Sequence, residues 1–149
     1  MIIHHYMKDD WIKTGLKYPT MMVGSDGMPA ITMEVKSNPN LTSSFTRLLT
    51  YYVRDEKTIS INDAIAKASY YPARRLQSFA PAFKNKGRIQ EGADADILIF
   101  NLENLKVNAT YTEPYQASTG WDYVIVNGQI AVEDDKLTNN RAGVRIDAN

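Results

Sequence analysis

Residues 20–27 have the sequence Thr-Met-Met-Val-Gly-Ser-Asp-Gly, which joins a short apolar segment to a glycine-rich turn. Residues 20–23 are mostly apolar and carry no charge, which predicts a short buried strand. The two glycines then allow a sharp turn that presents Asp26 just beyond the C-terminal end of the strand. Ligands and catalytic groups collect at that end of parallel strands. The alternative is an ordinary turn in which Asp26 caps neighbouring backbone N–H groups.

The composition limits the class of protein. The chain has 149 residues, 44% of them hydrophobic and 23% charged, which is typical of a globular domain and not of a disordered segment. Basic and acidic residues number 17 each, so no excess of positive charge indicates nucleic acid or an anionic membrane as a partner. Cysteine is absent, which excludes a disulfide framework and Cys-ligated zinc and is compatible with a cytoplasmic protein. No apolar run approaches the roughly 18 residues of a membrane span.

The first quarter of the chain predicts a strand, a helix and a second strand. Residues 1–7 are rich in β-branched and aromatic side chains, as strands are. Asp9 and Asp10 can cap a helix that runs to about Lys17 and is closed by Tyr18-Pro19. With residues 20–23 these elements would form a βαβ unit, whose two strands are parallel and need covering on both faces.

Two amphipathic helices follow a loop over residues 28–41. The first begins at Thr42 or Ser43, and its helical spacing predicts a buried face of Phe45, Leu48, Leu49, Tyr52 and Val53. The second is capped by Ser60, with Asp63 at the third position, and buries Ile61, Ala64, Ile65 and Ala68. A short helix can restart at Pro72, since proline is tolerated in a first turn.

Beyond about residue 76 the pattern changes from α/β to β. Residues 97–100 are entirely apolar and predict a strand. Residues 123–126 and 129–132 flank Asn127-Gly128, the preferred pair for a tight hairpin turn. Residues 144–146 predict a last edge strand. Asp94 and Asp96 resemble a metal pair but are better interpreted as caps of backbone N–H groups in a turn.

Several segments carry a resemblance to a known family. GRIQEGADADILIFN (residues 87–101) resembles a segment near the end of amidohydrolase-superfamily enzymes, which are metal-dependent hydrolases with a (β/α)8 barrel and a small β-sandwich. More narrowly, the chain is similar to the N-acyl-D-amino-acid deacylases, or D-aminoacylases. That similarity rests on MVGSDGMP (22–29), TRLLTYYVRDEKTISINDAIAKASYYPARRL (46–76) and ATYTEPYQASTGWDYVIVNG (109–128).

The resemblance implies a fold and a site. The chain would be the C-terminal remnant of the barrel, with its last two strands and helices in residues 1–82, and residues 83–149 would be part of the β-sandwich. Asp26 would match the aspartate at the end of the eighth strand, which lies beside the catalytic metal and works as general base and proton shuttle. Asp26 is therefore assigned as catalytic residue and metal ligand, and Ser25 and Gly27 as substrate-binding residues. Zinc is the cofactor that the family implies.

The sequence also departs from the family pattern. It has two histidines, His4 and His5, with no His-x-His pair, so the ligands of a complete zinc site are not expected in this chain. Adjacent strand residues face opposite sides, so His4 and His5 could not chelate one ion from a regular strand. The stretch Asn38-Pro39-Asn40 lacks the His-Pro associated with these deacylases.

Two hypotheses for function follow. In the first, the chain is the C-terminal part of a metal-dependent amidohydrolase that hydrolyses the amide bond of N-acyl-D-amino acids, and is inactive alone. In the second, it is a stand-alone, non-catalytic assembly or binding domain. The expected partners are a small N-acyl amino acid for the complete enzyme, and either a second copy or the missing N-terminal part to cover the exposed strands.

Overall fold

The computed structural model describes residues 6–27 and 37–148, with helices in the first part and strands in the last. The elements in chain order are α1 (Asp9–Lys17), α2 (Asn40–Arg47), α3 (Ile61–Ile65), α4 (Tyr71–Leu76), β1 (Ile97–Phe100), β2 (Trp121–Val126), β3 (Gln129–Glu133) and β4 (Lys136–Leu137). Wider π-helical turns continue α2 through Leu48–Asp55 and α3 through Ala66–Tyr70. A short 3-10 helix, Pro81–Asn85, follows α4.

Helix α1 ends at Lys17, as predicted, but it begins at Asp9, a residue that was predicted to cap it. Lys8 is its N-cap and makes no side-chain cap, so the prediction of capping by Asp9 and Asp10 is wrong. Both carboxylates lie instead in the first turn, where they interact favourably with the helix dipole. Leu16 anchors the helix in the core, since its side chain is only 3% exposed.

Helix α2 begins at Asn40, two or three residues before the predicted start at Thr42 or Ser43. Of its predicted apolar face, Leu48, Leu49, Tyr52 and Val53 are buried, whereas Phe45 is 44% exposed. The burial of Phe45 was predicted from regular α-helical spacing. The side chains that α2 buries are Ser43 and Thr46, and at 100° per residue Phe45 lies away from that side of the helix.

Helix α3 has the predicted cap. The Ser60 hydroxyl accepts a hydrogen bond from the Asp63 backbone N–H at 3.1 Å and donates one to the Asp63 carboxylate at 2.7 Å. Its predicted buried face is only partly correct, because Ala64 is fully buried but Ile65 is 46% exposed. Helix α4 carries proline in its first turn, as predicted.

The four strands form one antiparallel sheet in the order β1-β2-β3-β4. Asn127 and Gly128 join β2 to β3 with φ values of +51° and +77°, which is the conformation of a type I′ turn, and the predicted hairpin is confirmed. The prediction of a strand at residues 144–146 is wrong, since they pair with no other segment in the described part of the chain.

The predicted parallel βαβ unit is not formed by the residues that the structure describes. Residues 20–23 are irregular, and the Val23 N–H donates to the Lys67 backbone carbonyl at 3.0 Å instead of joining a strand. A strand exists only where a neighbouring strand accepts its ladder of hydrogen bonds. Residues 1–5, most of the predicted partner, lie outside the described residues.

One hydrophobic core joins the helices to the β region. Its buried members are Leu16, Leu48, Leu49, Tyr52, Val53, Ala64 and Leu105. Phe100 and Trp121 pack against this cluster from the sheet, with ring centroids 5.3 Å apart. Within the described ranges, no helix is both long enough and apolar enough to cross a membrane.

Candidate functional site

Asp26 lies in the irregular stretch that follows α1, and it is exposed. Its φ is +50°, in the left-handed region that aspartate tolerates better than most residues. We expected the flanking glycines to adopt this unusual backbone, but the residue with positive φ is Asp26 itself. Among the described residues, none forms a hydrogen bond or ion pair with the Asp26 carboxylate.

Residues on both sides of Asp26 hold this turn against helix α2. The Gly27 N–H donates to the Ser25 hydroxyl at 3.3 Å, and the Ser44 hydroxyl donates to the Ser25 carbonyl at 3.5 Å. Gly27 packs directly on Leu41, because a β-carbon at Gly27 would lie 2.7 Å from the Leu41 Cα. Ser25 and Gly27 therefore each make a contact that holds the turn in place. Their assignment to substrate binding stays a prediction.

An open cleft of about 920 Å³ lies beside this turn. Gly24 lines it from the Asp26 segment, and α1, α2 and residues 107–111 form the other walls. The polar side chains that line it include Asp9, Asn40, Ser43 and Arg47. The Asp26 turn thus borders a space that is large enough for a small organic molecule.

Sequence reasoning missed a charged and aromatic cluster in the wall of this cleft. The Asp9 carboxylate accepts hydrogen bonds from the hydroxyls of Tyr51 and Tyr52, both at 3.1 Å. Lys13 Nζ lies 2.9 Å from the Asp9 carboxylate and 2.7 Å from that of Glu56. The i,i+4 spacing of Asp9 and Lys13 was a local signal, but no local pattern connects them to tyrosines over forty residues away.

The cluster stabilises ionised Asp9. Hydrogen bonding from Lys13 holds the pKa of the Asp9 carboxyl below its usual range and outweighs the opposing effect of partial burial. Hydrogen bonds to Glu56 and Asp9 in turn raise the pKa of Lys13. Desolvation and then the hydrogen bond to Asp9 raise the pKa of Tyr51 and Tyr52. Asp9 and Lys13 therefore form an ion pair beside the cleft at neutral pH.

The described residues do not form a metal site of their own. Within residues 6–27 and 37–148, no three His, Cys, Asp or Glu side chains lie close enough together to hold one ion. A catalytic zinc takes about three protein ligands plus water, and Asp26 offers one carboxylate. His4 and His5 lie outside the described residues, so their predicted lack of a metal role is not tested.

The other acidic pair singled out from the sequence has a structural role. The Asp96 carboxylate accepts a hydrogen bond from the Asn127 N–H at 2.8 Å, as the capping interpretation predicts. Its other oxygen lies 2.6 Å from Lys86 Nζ, which also contacts the Asp94 carboxylate at 3.0 Å. These contacts connect the turn before β1 to the β2–β3 hairpin.

Comparison with known proteins establishes the class. Residues 8–131 match the model of the amidohydrolase family, and the chain belongs to that family. It is 33% identical over 126 residues to the N-acyl-D-glutamate deacylase of Alcaligenes xylosoxydans xylosoxydans, an alignment covering 85% of this chain and 24% of the relative. It is 27% identical over 141 residues to the D-aminoacylase of the same organism, covering 95% of this chain and 28% of the relative.

Solved structures agree with these relatives. A D-aminoacylase superposes with a TM-score of 0.80 at 28% identity, covering 92% of this chain and 27% of that chain. The N-acyl-D-glutamate deacylase of Bordetella bronchiseptica, complexed with zinc and a phosphonate inhibitor, superposes with a TM-score of 0.74 at 36% identity over 84% of this chain and 25% of that one. The resemblance to N-acyl-D-amino-acid deacylases is confirmed, and the chain spans about a quarter of the length of these relatives.

Proposed function

We propose that this chain is the C-terminal part of a metal-dependent amidohydrolase that hydrolyses the amide bond of N-acyl-D-amino acids, with Asp26 as its general base. The observation that carries the proposal is the exposed carboxylate of Asp26 on a turn beside an open cleft. The matching relatives, deacylases of N-acyl-D-glutamate and of D-amino acids, indicate the substrate class.

Asp26 has the chemistry that amide hydrolysis requires. The attacking water must lose a proton, and the leaving amine must gain one, so a single carboxylate can serve both steps in sequence. An exposed carboxylate with no partner among the described residues is free to make those transfers. Ser25 and Gly27 flank it and would contact the substrate from either side.

A zinc ion is the cofactor that we propose for the complete enzyme, with Asp26 as one ligand. The zinc-bound Bordetella bronchiseptica relative supports this choice of metal for the family. Zinc supplies polarisation of the amide carbonyl and a more acidic water when bound. The described residues supply no complete ligand set, so we propose that the isolated chain neither retains zinc nor hydrolyses amides.

The same proposal divides the chain. Residues 1–82 would contribute the last strands and helices of the hydrolase barrel, and residues 83–149 would contribute to the β-sandwich. The secondary structure supports this division, since helices dominate up to Asn85 and strands follow from Ile97. We place the complete protein in the cytoplasm, in keeping with a chain that has no cysteine.

A chimera tests the proposal. In it, this chain replaces the matching quarter of the Bordetella bronchiseptica deacylase, and hydrolysis of an N-acyl-D-glutamate is measured with zinc present. We expect turnover by the chimera and none by the isolated chain. Asp26→Asn in the chimera should lower kcat by about 10²-fold or more, which is the usual contribution of a general base.

Asp10→Asn is the matched control, because Asp10 is also an exposed aspartate but lies on the first turn of α1. Wild-type turnover by the Asp26→Asn chimera would show that Asp26 is not the base. Amide hydrolysis by the isolated chain with bound zinc, or a folded chimera without activity, would contradict the assignment of the chain as part of this enzyme.

A non-catalytic assembly domain is the second candidate function. It is favoured by large apolar side chains that stay about half exposed, among them Met22, Phe45, Leu98 and Ile99. Exposed apolar side chains are typical of contacts with another polypeptide where they form a contiguous patch. Sedimentation of the isolated chain separates the candidates: a stable dimer favours the assembly domain, and a monomer counts against self-pairing.

A further inference from the structure

Lys67 is a buried lysine that contacts the segment leading to Asp26. Its residue is only 4% exposed. Its Nζ donates to the Tyr18 carbonyl at 2.6 Å and to the Met21 carbonyl at 3.5 Å. Burying an ammonium group is costly unless hydrogen bonds compensate it, and among the described residues no carboxylate pairs with this one. A methionine would fill the same space without that cost. The presence of lysine therefore indicates that its hydrogen bonds have a specific role.

The backbone of Lys67 makes a third contact with the same segment. Its carbonyl accepts the hydrogen bond of the Val23 N–H at 3.0 Å. This carbonyl is available because Lys67 lies in the π-helical turns, where the Tyr71 N–H donates to the Ala66 carbonyl and not to that of Lys67. The next donor in the π-helical register would be residue 72, which is proline and has no N–H.

Three hydrogen bonds from one residue therefore fix residues 18–23 to the helix. Asp26 follows three residues after Val23, and the intervening Gly24 has open space around it, with no atom within 4 Å of a β-carbon built there. Val23 is held by Lys67 immediately before the turn, so its position sets where the turn begins. The turn then contacts α2 through Ser25 and Gly27.

We infer that Lys67 is the positioning residue of the Asp26 turn and that Pro72 enables this role by leaving the Lys67 carbonyl free. This inference deepens the proposed function and rests on it for the catalytic meaning of Asp26. The hydrogen-bonding role itself is independent of catalysis. Lys67 acts through its contacts with the 18–23 segment.

Hydrogen exchange and NMR of the chain as it stands test the inference. Lys67→Met keeps the length of the side chain but removes its donors. We expect exchange of the Val23 amide to become about tenfold faster, as expected for losing a hydrogen bond made by a charged group. The ¹³C shift of the Asp26 carboxyl carbon should move as well. Lys67→Arg should restore much of both signals.

Two further variants make the test specific. Pro72→Ala keeps the buried amine but provides an N–H that competes for the Lys67 carbonyl, so Val23 exchange should again accelerate. Lys84→Met removes an exposed lysine and should change neither signal. The amides of Val124 and Val132, paired in the sheet, report global stability in every variant.

The inference is overturned if Lys67→Met leaves Val23 exchange and the Asp26 shift as in wild type. It is also overturned if Val124 and Val132 accelerate as much as Val23, because Lys67 would then stabilise the whole fold without positioning the turn. None of these readouts needs turnover. Failure of the Asp26→Asn chimera assay is therefore distinguishable from failure of this inference.

Discussion

Gly27 lies so close to Leu41 that a β-carbon on the glycine would be 2.7 Å from the Leu41 Cα and 3.1 Å from its Cδ1. The turn that carries Asp26 thus contacts the first turn of α2 backbone to backbone. Gly24, at the other end of the same turn, has nothing within 4 Å of the corresponding position. Neither glycine has a positive φ, so space alone distinguishes the two positions.

Gly27→Ala should destabilise the protein and displace the Asp26 turn. The added methyl group must push the loop or α2 aside, at a cost of about 1–3 kcal/mol in the free energy of unfolding, as for overpacked sites. Urea denaturation measures the loss. Gly24→Ala is the matched control and should change the free energy by less than about 0.5 kcal/mol. Equal effects of the two substitutions would show that Gly27 is not held against Leu41.

Asp9 should make stability depend on pH in the acid range. Its folded-state pKa is lowered, mainly by Lys13, so the unfolded chain binds the proton more readily. The stabilisation is complete above the pKa of the unfolded chain, near 3.8, and is lost as the pH falls through the folded-state pKa. Asp9→Asn should therefore reduce the slope of unfolding free energy against pH below about pH 4.

A companion variant is Lys13→Met, which removes the main group that lowers the Asp9 pKa and should reduce the slope in the same way. Some slope should persist even in Asp9→Asn, because Asp96 also has a lowered pKa. Its partial burial acts in the opposite direction, but Lys86 and the Asn127 N–H outweigh it. Urea denaturation at pH values between pH 3 and pH 6 gives the free energy of unfolding of all three proteins. Identical slopes for wild type and Asp9→Asn would contradict the hydrogen-bonded carboxylate described for α1.

Asp135 should stabilise the entry into strand β2. Its carboxylate accepts hydrogen bonds from the backbone N–H groups of Gly120 and Trp121, at 2.8 Å and 2.9 Å. Asp135→Ala removes both acceptors, and because the site is exposed we expect a loss of about 1 kcal/mol in thermal or urea unfolding. Asp134→Ala is the matched control. Asp134 also has a positive φ, of +47°, so alanine at that position carries a comparable backbone penalty. The Asp135 variant should be the less stable of the two.

The isolated chain should contain less than one zinc per molecule after incubation with the metal and gel filtration. The reason is the lack of three neighbouring ligands within the described residues. Elemental analysis measures the content, with the zinc-bound Bordetella bronchiseptica deacylase as positive control. One tightly held zinc per chain would refute the expectation, and its loss on Asp26→Asn would show which residue holds it.

The features that the sequence predicted correctly depend on neighbouring residues in the chain. The Asn127-Gly128 hairpin follows from two residues that tolerate positive φ. The Ser60 cap follows from a side chain that reaches a backbone N–H three residues away. Each is determined within a few residues, so no tertiary information was needed.

The features that the sequence did not predict depend on distant partners. Residues 20–23 have the composition of a strand, but strand formation needs an adjacent strand, and the Val23 N–H and the Met21 carbonyl bond to Lys67 instead. The role of Asp9 depends on Tyr51 and Tyr52, which only the packing of α1 on the later helix brings close. The exposure of Phe45 reflects tertiary packing that buries the polar Ser43 and Thr46 side of α2, a choice that hydrophobic periodicity does not predict.

Strand β1 is at the edge of the sheet, and its Leu98 and Ile99 side chains are 52% and 46% exposed. An apolar edge strand offers unpaired N–H and C=O groups to any similar strand it meets. We therefore expect concentrated samples of the isolated chain to become turbid over time. A lysine in place of Ile99 should extend the solubility limit, which makes that variant a practical starting material for spectroscopy.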